Sequence, residues 1–260
     1  MDHIADHTVN NLNRTLGEDV MDKYYTPGEN IKDYNILKII GEGRYGIAYL
    51  CEKNANEKYV IKQLKKDMIE KSKNKLFFEE EIMKSFDDKN FPKFIEKFEY
   101  DNTKYYVIEY IEGKDFYELL TFDEYEFTRN EIYDISEKLL NIIITLQEKN
   151  IVHRDIRISN VIMNEKKDLV LIDFGLARYI DSKRYKKEID YWYMADFLLH
   201  LYYSSYDDES TELEEKPWYE ELDLNNEELI FLKRLMGMEK TYENTDEIMT
   251  DLLKIKNKTK

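Results

Sequence analysis

Cysteine, proline and glycine are all scarce in this chain. A single cysteine, Cys51, cannot close an internal disulfide, which excludes the disulfide-stapled secreted scaffolds and fits a reducing compartment. Three prolines and eight glycines in 260 residues leave no room for collagen-like or low-complexity segments. No run of about 18 apolar residues occurs, so no transmembrane helix is expected. Met1-Asp2-His3-Ile4 lacks the basic and then apolar segments of a signal peptide. These absences predict a soluble, cytoplasmic protein. Positive charge is also short: 39 Lys and Arg against 55 Asp and Glu give a net charge of −16. That balance argues against nucleic acid or an anionic membrane as the main partner.

What is present is enough for a sizeable core, since 42% of the residues are hydrophobic. Residues 1–33 show no strong period and end in a turn-like Thr26-Pro27-Gly28, which reads as an N-terminal extension. From Tyr34 onward Ile36–Ile40, Ile47–Leu50 and Tyr59–Lys62 are short β-branched or apolar runs between turn signals, hence strands. Asn54–Glu57 reads as a hairpin turn, and Phe77–Phe86 as a helix. Two further strands are expected at Phe94–Tyr100 and Tyr105–Glu109. After Gly113 the pattern turns helical. Thr128 and Glu131 have capping-box spacing, and Ile132, Ile135, Leu139, Ile142, Ile143 and Leu146 form one apolar stripe behind them. Short strands are expected at Val161–Met163 and Leu169–Ile172, then helices at Asp190–Tyr203, Glu227–Met236 and Thr245–Leu253. Strands first and helices later give an α+β, two-lobed architecture, with a small lobe over about 34–112 and a helical lobe over about 113–260.

Three motifs and a lysine carry the chemistry. Gly41-Glu42-Gly43-Arg44-Tyr45-Gly46 spells G-x-G-x-x-G, but a strand follows it where a dinucleotide fold would open a helix. The glycines therefore sit in a hairpin whose backbone N–H groups can lie close over phosphate oxygens. Lys62 ends Val60-Ile61-Lys62 on a strand, and the next helix offers carboxylates at Glu79, Glu80 and Glu81. His153-Arg154-Asp155-Ile156-Arg157-Ile158-Ser159-Asn160 and Asp173-Phe174-Gly175 follow in order.

Taken together these residues resemble the protein kinase family over about Ile39–Tyr203, with every motif in sequence and spacing. The resemblance implies an ATP- and Mg²⁺-dependent transfer of the γ-phosphoryl group to the hydroxyl of a protein substrate, serine or threonine, in a compact kinase of bacterial type. It implies Asp155 as the base, Lys62 on the α- and β-phosphates, Arg157 near the transferred group, and Asn160 with Asp173 on the metal. Ile40 and the glycine loop would cover the nucleotide. Ala48, Val60 and Ile162 would enclose adenine, with Ile108 as gatekeeper and the backbone of Glu109 and Ile111 as the reader of its edge. Asp115 would reach the ribose, though a helix-capping aspartate reads nearly as well. Glu81 matches the family's lysine partner, leaving Glu79 and Glu80 on other faces of the helix. Arg154 would hold a phosphate or carboxylate of the activation segment. His153 and Phe174 would pack.

The departures concern the acceptor. Lysine is usual where Arg157 stands, and proline where Ile158 stands. Asp190-Tyr191-Trp192 matches the family's D-x-W helix, whose aspartate steadies the H-R-D backbone. Only Phe174–Ile189 separate it from the metal aspartate, and no A-P-E sequence occurs. The arginine that would pair with its glutamate is replaced by Tyr242. The basic run Lys183–Lys187 lies inside this short segment, with Ser182 and Tyr185 as modifiable hydroxyls. A small-molecule kinase acting on aminoglycosides, choline or sugars shares the Asp/Asn/Asp core and lacks A-P-E. A nucleotide-binding pseudokinase scaffold is the third reading, set against the full complement of essential side chains.

Overall fold

The computed structural model describes residues 22–43, 46–54, 57–65, 73–181, 183–206 and 216–258. The chain divides into two compact units, one formed by Met1–Lys84 with Lys93–Tyr110, the other by Ser85–Pro92 with Ile111–Lys260.

Among the described residues the first unit holds a six-stranded antiparallel sheet of order β1-β2-β3-β4-β6-β5. Its strands are β1 (Asn30–Ile31), β2 (Tyr34–Glu42), β3 (Gly46–Lys53), β4 (Glu57–Leu64), β5 (Phe94–Tyr100) and β6 (Thr103–Glu109). Side chains alternate faces along a strand, so cross-strand partners share a face. Tyr49, Ile61 and Val107 form one such row and join Tyr25, Ile31, Tyr34, Ile36, Ile47, Cys51 and Tyr105 in the unit's core. Cys51 is fully enclosed, and burial pushes its thiol up to about 12, which makes it an inert packing residue. The opposite face presents Ala48, Val60, Lys62, Tyr106 and Ile108 through the pairs Ala48–Lys62, Lys62–Tyr106 and Val60–Ile108.

Of the segment read as an extension, residues 1–21 lie outside the described residues, and the rest is built into the sheet. Ile31 pairs with Tyr34. Tyr25 is 2% exposed, and its hydroxyl lies 3.2 Å from that of Tyr105. The carbonyl of Lys23 accepts from the Gln63 side chain at 2.9 Å. Helix α1 (Lys73–Lys84) begins four residues before the expected Phe77 and ends before Phe86, which belongs to the second unit. The expected turn at Asn54–Glu57 includes residues 55 and 56, which lie outside the described residues.

In the second unit β7 (Lys114–Asp115) leads into α2 (Phe116–Thr121) and α3 (Arg129–Glu148). Thr128 and Glu131 close the expected capping box on α3, and every residue of its apolar stripe is buried. Strands β8 (Ile151–Val152), β9 (Val161–Met163), β10 (Leu169–Leu171) and β11 (Arg178–Tyr179) carry the loops of interest, in a three-stranded sheet β10-β9-β7 and a two-stranded one β11-β8. Helices α4 (Glu188–Tyr203), α5 (Trp218–Glu221), α6 (Asn226–Leu235) and α7 (Thr245–Lys258) complete the unit, α7 running five residues past the expected Leu253. Gly113 has φ +149°, and a Cβ there would stand 2.5 Å from the Met163 carbonyl oxygen, so no other residue fits beside β9. Glu228, 2% exposed, caps α6 and accepts from the Tyr133 hydroxyl at 2.6 Å, which satisfies a carboxylate that burial would otherwise penalise.

Replacing Tyr25 by alanine removes a core aromatic and leaves a cavity, so Tyr25→Ala should lower unfolding stability by roughly 3 kcal/mol. Urea unfolding checks this, and a loss below about 0.5 kcal/mol would show that residues 22–33 are peripheral.

Candidate active site

In the first unit the glycine hairpin is the turn between β2 and β3, closed by the Gly43 N–H donating to the Gly46 carbonyl at 3.0 Å. Arg44 and Tyr45 lie outside the described residues. The glycines have different causes. A Cβ on Gly46 would sit 2.3 Å from the Gln63 carbonyl oxygen, so strand packing alone requires glycine there. Gly43 has open space on its Cβ side, and Gly41 meets nothing nearer than the Ala48 Cβ at 4.0 Å. Glu42 is tied down by Lys65 at 2.6 Å and the Tyr24 hydroxyl at 2.8 Å. Ile40 is 43% exposed at the irregularity between Ile39 and Gly41.

Lys62 stands in the cross-strand row Gly41–Ala48–Lys62–Tyr106. Its Nζ meets Glu79 Oε1 at 3.0 Å, and the Tyr106 hydroxyl donates to the same oxygen. This corrects the expectation that Glu81 pairs with the lysine. Glu79 lies on the helix stripe of Ile82 and Met83, which turns inward, and is 5% exposed. Glu81, two residues on, is turned about 200° away and is exposed. The signal was in the sequence: the glutamate three and four residues before buried apolar positions shares their face. Val60 and Ile108 pair across β4 and β6 beside this row, both buried. The Glu109 N–H donates to the Lys93 carbonyl at 2.9 Å.

In the second unit β8 delivers His153, Arg154 and Asp155. Both oxygens of Asp190, at the start of α4, accept from this loop: the His153 N–H at 2.8 Å and the Arg154 N–H at 2.8 Å. Asp190 is wholly buried. Burial pushes its carboxyl up to about 6, against the pull of those N–H groups and the Arg154 charge. Arg154 is held at φ +69°, a conformation unusual for a side-chain-bearing residue. His153 packs edge-on against Phe174 at 4.9 Å, and Phe174 against Phe86 and Phe91, each at 5.8 Å.

Asp155 is oriented by Asn160, whose Nδ2 donates to Asp155 Oδ2 at 2.8 Å and to its carbonyl at 3.0 Å. Arg157, more than half exposed, approaches the same carboxylate at 3.5 Å. Burial raises the Asp155 carboxyl above its ordinary value; Arg157 and Asn160 oppose the rise, and the charge of Asp173 adds to it. The amide nitrogen of Asn160 is committed to Asp155, so its Oδ1 is the acceptor left for a cation. Its own carbonyl accepts from the Ile172 N–H at 2.9 Å, which fixes the residue before Asp173. Asp173 itself has φ +64°. Ile162, half-buried on β9, pairs with Asp115 on β7. Asp115 is the N-cap of α2 and accepts from the Glu118 N–H at 2.8 Å.

The description "Protein kinase domain" matches residues 34–212. The chain belongs to the protein kinase family. A relative from Bacillus subtilis, "Probable serine/threonine-protein kinase YbdM", is 37% identical over 227 residues, covering 84% of this chain and 88% of that protein. A Dictyostelium discoideum protein described as a probable myosin light chain kinase is 32% identical, over 60% of this chain and 50% of its own. Calcium-dependent protein kinase 4 of Plasmodium falciparum is 31% identical, over 65% of this chain and 34% of its own. The chain spans most of the bacterial relative, half of the second and a third of the last. It is a phosphotransferase of the ATP-dependent protein kinase type.

Tyr242, read by resemblance as standing where the family's A-P-E-pairing arginine would be, is built into a cluster of its own. Tyr242, 1% exposed, lies under the Arg234 guanidinium at 3.8 Å, and Arg234 pairs with Asp251 at 2.6 Å and Glu247 at 3.2 Å. The Tyr242 hydroxyl donates to Asp251 at 3.1 Å. No helix among the described residues is long and apolar enough to cross a membrane.

Glu79→Gln removes a charged hydrogen bond from Lys62 and should lower kcat/KM for ATP by roughly 10- to 100-fold. Glu81→Gln should stay within about twofold of the parent, as surface substitutions do. Steady-state phosphotransfer with both variants decides between the two glutamates, and a reversed order would reinstate Glu81.

Proposed function

We propose that this kinase uses Mg²⁺-ATP to phosphorylate serine or threonine hydroxyls of a protein. The observation that carries the reading is the Asn160 amide, which aims the Asp155 carboxylate with its nitrogen and keeps its oxygen free beside the Asp173 loop. Among the described residues no group of three or more His, Cys, Asp or Glu is placed to hold a metal. Mg²⁺ binds through one or two protein ligands together with substrate phosphates. Asn160 Oδ1 and the Asp173 carboxylate would hold it, and when bound it neutralises charge on phosphate oxygens.

The other roles follow from the two half-sites. Lys62, fixed by Glu79, holds the α- and β-phosphates. The backbone of Gly41, Glu42, Gly43 and Gly46 lies over the phosphates, with Arg44 and Tyr45 completing the loop and Ile40 at its base. Ala48, Val60 and Ile108 offer an apolar surface to adenine in the first unit, and Ile162 does so in the second. The Glu109 carbonyl and the Ile111 backbone read its edge, and Asp115 adds a ribose contact to its capping role. Asp155 takes the acceptor's proton, and Arg157 steadies the transferred group with its charge. The serine/threonine preference rests on the bacterial relative's description. A cytoplasmic setting agrees with the lone, buried Cys51.

The test is transfer from γ-labelled ATP with Mg²⁺ to serine, threonine and tyrosine peptides and to an aminoglycoside and choline panel. Label should enter serine or threonine, and Asp155→Asn should lower kcat by roughly 10²- to 10⁴-fold. Label confined to tyrosine or to a small molecule, or undiminished transfer by Asp155→Asn, would refute the assignment.

A further inference from the structure

The segment between Asp173 and Asp190 is short, yet it is fastened to the catalytic loop at several points. Upstream, β11 pairs with β8, matching Arg178 with Val152 and Tyr179 with Ile151. The Ile180 N–H then donates to the Asn150 carbonyl at 2.7 Å. Downstream, Asp190 grips the backbone of His153 and Arg154. Between these anchors Asp181 organises a tight loop. Its Oδ1 accepts from the N–H groups of Lys183 at 2.9 Å, Arg184 at 2.5 Å and Tyr185 at 3.0 Å. Its own N–H donates to the Tyr185 carbonyl at 2.9 Å, closing the loop from the other side. Those three donors hold the Asp181 carboxyl below its ordinary value. Ser182 lies outside the described residues, and the loop's closure uses its neighbours.

The loop has a product: it places one aromatic ring. Tyr185 is half-buried, with the Arg154 guanidinium 4.7 Å from its ring centroid and that of Arg184 at 5.4 Å. A guanidinium stacks on an aromatic face by both charge and plane, which a lysine could not reproduce. The edge of Arg154 is also engaged, donating to the Leu176 carbonyl at 3.1 Å. Its backbone N–H is held by Asp190. The arginine adjoining the Asp155 base is thus fixed through its face, its edge and its main chain.

We propose that Tyr185, set in place by Asp181, is a positioning residue: its unmodified ring seats Arg154 and keeps the catalytic loop set for transfer. The activation segment of this kinase is then competent without phosphorylation. This rests on the kinase reading above, and it deepens that reading by saying how the site is regulated. The ring does the seating, so phenylalanine can replace tyrosine and alanine cannot. A phosphotyrosine switch at Tyr185 makes the opposite demand, because phenylalanine would then fail as alanine does, and a phosphoserine switch would leave the phosphate-free parent impaired.

The test uses the full chain, phosphatase-treated and verified by mass spectrometry as free of phosphate, with Tyr185→Phe, Tyr185→Ala and Asp181→Ala. Stripped parent and Tyr185→Phe should agree in kcat within about twofold, whereas Tyr185→Ala and Asp181→Ala should lose roughly 5- to 30-fold in kcat with KM for ATP unchanged. Hydrogen exchange over residues 176–190 should rise in Tyr185→Ala and stay at the parent level in Tyr185→Phe. Phenylalanine rescue separates positioning from simple misfolding. The proposal is overturned if Tyr185→Phe is as impaired as Tyr185→Ala, if phosphorylating the stripped protein in this segment raises kcat, or if Tyr185→Ala changes neither rate nor exchange. Should the parent transfer no phosphate to any acceptor, the kinase reading fails, and the exchange measurement still decides whether the ring anchors the segment.

Discussion

The buried carboxylate of Asp190 is the constraint on which the second unit's catalytic half depends. Taking an ionised carboxylate out of water is expensive unless donors surround it. Here the donors are the main-chain N–H groups of His153 and Arg154, converging on its two oxygens. Their convergence accompanies the left-handed backbone at Arg154, which a chain free to relax would avoid. Asp155 follows directly, so the backbone that leads into it is held by a residue 35 positions away in sequence. An asparagine at 190 could accept from only one of the two donors. That explains why the fold keeps an ionisable group at a place that resists ionisation.

The first unit solves its own version of the problem with Lys62 and Glu79. The pair is largely enclosed, and the Tyr106 hydroxyl supplies a further hydrogen bond to the same carboxylate oxygen. A buried ion pair contributes little net stability, because desolvation offsets attraction. Its value is in fixing the geometry of the ammonium group, which Ala48 and Tyr106 flank across the sheet. Both halves thus place a charged side chain by meeting its hydrogen-bonding needs inside protein. This is the preorganisation that phosphoryl transfer requires.

Much of this was legible in the residues, for identifiable reasons. The short β-branched and apolar runs became strands, with Phe94–Tyr100 and Val161–Met163 at the expected bounds. The capping box at Thr128 fixed the start of α3, because it specifies hydrogen bonds as well as a preference. The Asp190 contact followed from its motif. Glu79 was passed over because the helix was phased from the family register, when the burial of Ile82 and Met83 sets it. Residues 22–33 hid their role because a core of tyrosines, such as Tyr25 and Tyr34, has no apolar period to detect. Tyr185 on Arg154 joins residues 31 positions apart, a contact that only the folded backbone makes. The substitution of Tyr242 was visible, but the Arg234–Asp251 cluster that completes it was not.

The claim that Asp190 is a buried, reluctantly ionised anchor can be measured directly. Its carboxyl is raised from an ordinary 3.8 to about 6 in the folded chain. Folding therefore favours its protonated form, and that stabilisation is full below pH 3.8 and lost as pH rises through about 6. Urea unfolding of the parent and of Asp190→Asn between pH 4.5 and 7 isolates this contribution in the difference between the two proteins. The parent should lose roughly 2 kcal/mol relative to the variant as pH rises across the window. A difference that stays flat, or that moves in the parent's favour with rising pH, would contradict the account of how this catalytic loop is held.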